Sequence, residues 1–206
     1  MAIIQFFNDP VGFIIFLLAI GLAIGIHEAA HAWTADKLGD STAKLMGRTN
    51  INPLVHLDPI GTLLFLIAGF GWGKPVPVNE HNLRSRYDII LVALAGPASN
   101  LGVALILGLF YRFIPSSSLH FVLALFIMIN LSLMIFNLIP IPPLDGSKVL
   151  RLFVSDQIYM MLEQYGFILI LVLFFLLRFG TSGLSDWLFR AVQYLFQLFT
   201  GAPLSL

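Results

Sequence analysis

Between Val11 and Ala35 the chain runs through about 25 residues with one full charge, Glu28, and that charge stands between His27 and His31. As a helix the segment covers roughly 37 Å at 1.5 Å per residue, enough to cross a hydrocarbon core about 30 Å thick. Two histidines four apart stand on one helix face, one above the other. Both imidazoles can then reach a single zinc ion, with Glu28 beside them as general base toward a water. A Glu and two His are expensive to bury at membrane depth, so the default reading of His27-Glu28-Ala29-Ala30-His31 is functional. The plainer alternative is a pair of hydrogen-bonded core histidines at a helix end, and the same burial cost weighs against it.

Composition sets the class. Charged residues make up 11% of the 206 positions and hydrophobic ones 58%, and the mean hydropathy is +0.92. The charged share is less than half the usual quarter, which implies an all-α, polytopic membrane protein. Net charge is zero and no basic run occurs, so nothing points to nucleic acid. The absence of cysteine excludes disulfides, thiolate ligands and a cysteine nucleophile, and leaves the redox compartment open. The first apolar stretch lacks a basic n-region and carries the His pair, so it reads as a retained span and not a signal peptide.

Three more apolar runs follow: Ile89 to Tyr111, His120 to Leu138, and Ile158 to Leu177. The region between the first two spans does not read as one helix. Asn52-Pro53, Asp58-Pro59, Lys74-Pro75 and Val76-Pro77 punctuate it, and Ile60 to Phe70 is too short to cross as a helix. Strands, turns and a re-entrant segment are expected there, with Thr49-Asn50-Ile51-Asn52 as a candidate free edge for an extended peptide. The tail from Leu184 to Phe199 has helical periodicity. Leu184, Trp187, Leu188, Ala191, Leu195, Leu198 and Phe199 share one face, and Asp186, Arg190, Gln193 and Gln197 the other. An interfacial helix, or one packed on the bundle, fits this pattern. Lys37, Lys44, Arg48, Lys74, Arg84 and Arg86 crowd the loop after the first span, and Lys148 and Arg151 the one after the third. The positive-inside rule puts both loops in the cytoplasm and the N-terminus outside. The site would then open toward the cytoplasm from a multi-pass protein of the cell membrane.

A catalytic zinc usually has three protein ligands and an open position. His56, Asp58, His81, His120 and Asp145 are candidates for the third. His120 falls on the outer side, His81 in a polar loop, and His56 and Asp58 beside turn-forming prolines. Asp145 follows Pro140, Pro142 and Pro143, three prolines in four residues that force extended backbone. Irregular backbone at membrane depth is tolerated where it is buried in protein or lines a wet cavity. The chemistry favours Asp145 over His56 without eliminating the latter.

Taken together, His-Glu-x-x-His in a membrane helix, Gly96-Pro97 in the next span and Asn137-x-x-Pro-x-Pro-x-x-Asp145-Gly146 after the third resemble the site-2 protease family of intramembrane zinc metalloproteases. The likeness covers about Gly12 to Arg151. It implies a three-span catalytic core (about 11–151) with accessory C-terminal helices (about 156–200), all in one membrane-embedded domain over 1–206. It implies His27, His31 and Asp145 as zinc ligands, Glu28 as catalytic base, and Asn137 as stabiliser of the oxyanion or the substrate strand. The expected substrates are transmembrane or membrane-anchored proteins, cleaved at the lipid bilayer; oligomeric state is not implied. The chain has no room for the PDZ or CBS modules of many members, and Ser147 stands where many have a second Gly.

Thr34, Ser99, Asn100, Asn130 and Ser132 could line a water path, although such groups in spans often just hydrogen-bond between helices. Gly96 and Gly102 read as sites of close helix packing. Trp33, Trp72 and Trp187 fall near the predicted interfaces, as belt residues do. Two other readings compete: a metal-binding membrane transporter and an inactive protease-like scaffold.

Overall fold

A computed structural model describes residues 9–69, 71–115, 118–179 and 183–204. The elements are α1 (Pro10–Lys37), α2 (Thr42–Leu45), α3 (Pro59–Ala68), α4 (Asp88–Phe113), α5 (Ser118–Asn137), α6 (Gly146–Leu150), α7 (Asp156–Gln164), α8 (Gly166–Phe179) and α9 (Leu184–Thr200), with single 3-10 turns at Pro53–Val55 and Glu80–Asn82. Helices α1, α4 and α5 are each long and apolar enough to cross a membrane. They pack on one another as the expected three-span core.

Local chemistry starts these helices where they start. The Asp9 carboxylate caps α1 by accepting from the Gly12 amide at 2.9 Å, and Pro10 supplies a pre-set φ with no amide hydrogen left to satisfy. The inner face of α1 is built from small residues, with Ala19, Gly21, Ala23, Gly25, Ala29, Ala32 and Ala35 buried among the two histidines. Small side chains let neighbouring backbones approach, which is how helices associate where lipid removes any hydrophobic drive. Large apolar residues such as Ile14, Leu18, Leu109, Phe110 and Phe113 are exposed instead, as a lipid-facing surface requires.

The region between α1 and α4 corrects one expectation. No strand forms among the described residues: the stretch expected as a free edge, Thr49 to Asn52, is turn and irregular chain, and the sole pairing is an isolated antiparallel bridge between Leu57 and Gly73. In place of a strand, α3 rises and the chain returns beside it. Asp58 caps α3 through the Gly61 amide at 2.8 Å. A Cβ on Gly61 would lie 2.2 Å from the Trp72 carbonyl oxygen, so only glycine lets the returning chain lie against the helix. The Lys74 amide donates to the His56 carbonyl at 2.7 Å, which ties the two feet of the excursion together. At about 15 Å the 10-residue α3 covers half a hydrocarbon core, so it is too short to cross as a helix. Phe70, at its expected end, lies outside the described residues, as do residues 1–8 ahead of the first span.

Two further differences concern the C-terminal part. The run expected as one fourth span is broken into α7 and α8, bent by 65°. The polar residues Asp156, Gln157, Glu163 and Gln164 gather on α7 and the apolar ones on α8, so the two halves suit different surroundings. Helix α9 packs on α4 and α5, but on a face rotated from the one the periodicity suggested. Val192, Phe196 and Thr200 are its buried residues, and the first two join Ala104, Ala124, Ile127, Leu131 and Met134 in the core. Trp187 and Leu198, on the apolar face of that pattern, are exposed.

Candidate metal centre

His27 and His31 sit in the C-terminal half of α1, both buried. Their rings meet nearly perpendicular with centroids 4.6 Å apart. Asp145 reaches them from the third span, delivered by the irregular Pro140–Leu144 stretch that follows α5. Its Oδ2 lies 3.0 Å from His27 Nε2 and 3.3 Å from His31 Nε2. Among the described residues, these three form the one group of metal-ligating side chains close enough to share an ion.

The outer nitrogens decide what the inner ones can do. His31 Nδ1 is 2.7 Å from the Val92 carbonyl oxygen, which can only accept. His27 Nδ1 is 2.6 Å from Asn100 Oδ1, also an acceptor. In the neutral rings both hydrogens therefore sit on Nδ1, and both Nε2 lone pairs point inward. They converge on Asp145 Oδ2, a buried oxygen without a hydrogen-bond donor. Three lone pairs aimed at one another need a cation. Donors about 2.0–2.2 Å from a tetrahedral zinc lie about 3.3 Å apart, and the three ligand atoms all lie within 4.8 Å of one another, so this donor set suits one zinc ion.

Helix α4 closes the back of the site. A Cβ on Gly96 would lie 2.4 Å from His31 Nε2 and 2.6 Å from His27 Nε2. Gly96 thus belongs to the site and not merely to helix packing, whereas Gly102, given the same packing reading, faces open space. Pro97, inside the same helix, removes the amide that Ala93 would otherwise bond.

Glu28 faces the chain that returns from α3. Its Oε2 accepts from the Val76 amide at 3.0 Å. That stretch is held in turn by the buried Arg48 guanidinium, which donates to the carbonyls of Val55, Lys74 and Pro75.

The remaining candidates have other partners. His56 is buried with Nε2 2.6 Å from the Asn50 carbonyl oxygen, His120 Nε2 bonds to the Ile114 carbonyl at 2.8 Å, Asp58 caps α3 and His81 is exposed. Asn137 ends α5, and its Nδ2 donates to Leu133 of its own helix at 3.0 Å. Of the polar residues considered for a water path, Asn100 and Asn130 are instead buried partners beneath His27.

A helical membrane bundle with two helix-borne imidazoles, an opposing carboxylate and an adjacent glutamate defines the class of membrane metalloproteases. Comparison with known proteins agrees. The model of Peptidase family M50 matches residues 111–180, a stretch that holds the Asp145 arm. The chain is 41% identical over 173 residues to "Putative zinc metalloprotease YwhC" of Bacillus subtilis, covering 77% of this chain and 78% of that one. It is 31% identical over 197 residues to "Putative zinc metalloprotease Rip2" of Mycolicibacterium smegmatis, covering 88% and 74%. It is 34% identical over 141 residues to "Putative zinc metalloprotease MJ0611" of Methanocaldococcus jannaschii, covering 68% and 70%. No solved structure matches. The chain belongs to the site-2 protease family of zinc metalloproteases. It is a multi-pass membrane enzyme that depends on zinc, which favours the protease over the transporter reading.

Proposed function

We propose that His27, His31 and Asp145 hold the catalytic zinc, that Glu28 is the general base, and that the enzyme cleaves transmembrane or membrane-anchored proteins from a site opening toward the cytoplasm of the cell membrane. The observation that carries this reading is the convergence of two Nε2 lone pairs and Asp145 Oδ2 with both Nδ1 hydrogens committed elsewhere.

Zinc, when bound, makes water acidic enough to attack at neutral pH and polarises the scissile carbonyl. The chain supplies the rest. Glu28, next to His27 in sequence, takes a proton from the attacking water and returns it to the leaving amine. The Val76 amide fixes one Glu28 oxygen, so the base is oriented before substrate arrives. Gly96 gives room for both imidazoles. Asn137 remains the proposed stabiliser of the oxyanion or the substrate strand; its Nδ2 gives one hydrogen to the Leu133 carbonyl and has a second to offer.

Incubating the purified protein with a panel of single-span membrane proteins, with and without a zinc chelator, tests the reading. Chelator-sensitive cleavage near a span supports it. Cleavage confined to soluble peptides, or unaffected by chelator, contradicts it.

A further inference from the structure

Beneath His27 lies a chain of side-chain amides whose direction is fixed at both ends. Asn130 Nδ2 donates to the Phe126 carbonyl at 2.9 Å. Asn130 Oδ1 accepts from Asn100 Nδ2 at 2.8 Å. Asn100 Nδ2 also donates to the Ala23 carbonyl, one turn before His27, at 3.2 Å. Asn100 Oδ1 then faces His27 Nδ1 at 2.6 Å. The two asparagines are 0% and 1% exposed, so water does not compete for these groups.

An amide side chain offers two N–H donors on one side and an acceptor oxygen on the other. Backbone carbonyls cannot donate. Phe126 therefore sets which way Asn130 points, and Asn130 and Ala23 together claim both hydrogens of Asn100. With its nitrogen engaged, Asn100 has only its oxygen to offer His27, and that oxygen demands a hydrogen on Nδ1. Nε2 is left unprotonated and able to bind metal. If Asn100 turned over, its N–H would face Nδ1, the ring hydrogen would move to Nε2, and His27 could not ligate.

We propose that Asn130, on a helix that bears no metal ligand, is a positioning residue for the metal centre, holding His27 in its metal-binding tautomer through Asn100. The inference rests on the reading of His27 as a zinc ligand. The alternative is that Asn100 and Asn130 only join α4 to α5, as polar residues in spans often do.

Zinc affinity separates the two. Full-length purified protein is titrated against a chromophoric zinc chelator, and the melting temperature of each zinc-free form is recorded alongside. Asn130→Leu keeps the approximate size and removes the lock, and its zinc affinity is expected to fall about 10-fold or more, within the range for lost outer partners of a ligating histidine. Asn130→Ala carries the same expectation if Leu is not accommodated. Asn130→Asp still presents an oxygen to the Asn100 amide and is expected to stay within a few-fold of the native affinity. A structural role alone predicts lower melting temperatures with unchanged zinc affinity, and that result overturns the proposal. So does an affinity for Asn130→Asp as weak as that of Asn130→Leu. His27→Ala is the control. If it binds zinc as tightly as native protein, the ligand reading itself has failed and the proposal falls with it; if it loses zinc while Asn130→Leu does not, only the proposal falls.

Discussion

Gly96 shows how narrow the tolerances of the site are at the scale of single residues. One methyl group there meets both Nε2 atoms below 3 Å, and neither a backbone-anchored helix nor a ring locked at Nδ1 can yield without losing a hydrogen bond. Gly96→Ala is expected to remove zinc from the purified protein and abolish cleavage while the helices persist by circular dichroism, since overpacking costs only about 1–3 kcal/mol. Gly102→Ala, with nothing within 4 Å, should leave both unchanged. Glu28→Gln preserves size but cannot take a proton. Proteolysis should drop about 10²–10⁴-fold with zinc content intact, and full cleavage by this variant would remove Glu28 from the mechanism. The His pair was legible in the sequence because helical spacing alone puts residues four apart on one face. Gly96 and Asn100 were not, because a glycine or an asparagine in a span has ordinary packing roles, and only the three-dimensional approach of α4 to α1 reveals which neighbours they meet.

Among elements, the excursion between α1 and α4 depends on two polar anchors outside the spans. Arg48 is the first. Its guanidinium satisfies carbonyls on both feet of the excursion, just before Val76 reaches Glu28. Arg48→Met would strand those carbonyls, at about 1–3 kcal/mol for each buried unsatisfied group. Hydrogen exchange at Val76 and its neighbours should accelerate, whereas exchange in the core of α5 should not.

Asp40 is the second anchor. Burial by itself would raise its carboxyl, but hydrogen bonds from the Thr42 hydroxyl, the Asn82 side chain and the amides of Asn79 and Thr42 outweigh it and hold the group below the ordinary aspartate value. A depressed folded-state value means the unfolded chain takes up the proton first as pH falls. The contribution is thus complete above the ordinary aspartate value and is lost as pH drops through the folded one. Exchange protection around Asn79–Asn82 should therefore fall below about pH 4, where unperturbed aspartate titrates, and Asp40→Asn should lower it at neutral pH. Unchanged protection in both cases would show that Asp40 does not anchor the loop. The excursion itself was legible from its length and prolines. Its detailed form was not: the Gly61–Trp72 approach is a long-range contact, and a short apolar run reads equally as strand or helix.

Over the whole molecule, tertiary contacts fix what hydropathy leaves open. The Arg84 amide donates to the Leu38 carbonyl at 3.2 Å, and Arg151 pairs with Glu80 at 2.8 Å. The end of α1, the start of α4 and the segment after α6 therefore share one side of the molecule, as an even number of crossings between His27 and Asp145 would require. The fourth run and α9 were less legible: apolar content does not record a 65° bend between α7 and α8, and the face α9 buries is chosen by the shape of α4 and α5. Because the chain has no cysteine, single cysteines report sidedness cleanly. Those at Ser41, Asn79 and Ser155 should label from the cytoplasm and one at Ile114 from the opposite face; labelling of Ser41 and Asn79 from different sides would overturn the shared site.

Whether Asp145 and the His pair hold one ion is measured directly by the zinc content per purified chain. Native protein should carry about one equivalent, as a mononuclear site requires. Asp145→Ala should lose it as fully as His27→Ala or His31→Ala, and His56→Ala should keep it. Full zinc in Asp145→Ala together with its loss in His56→Ala would contradict the site described.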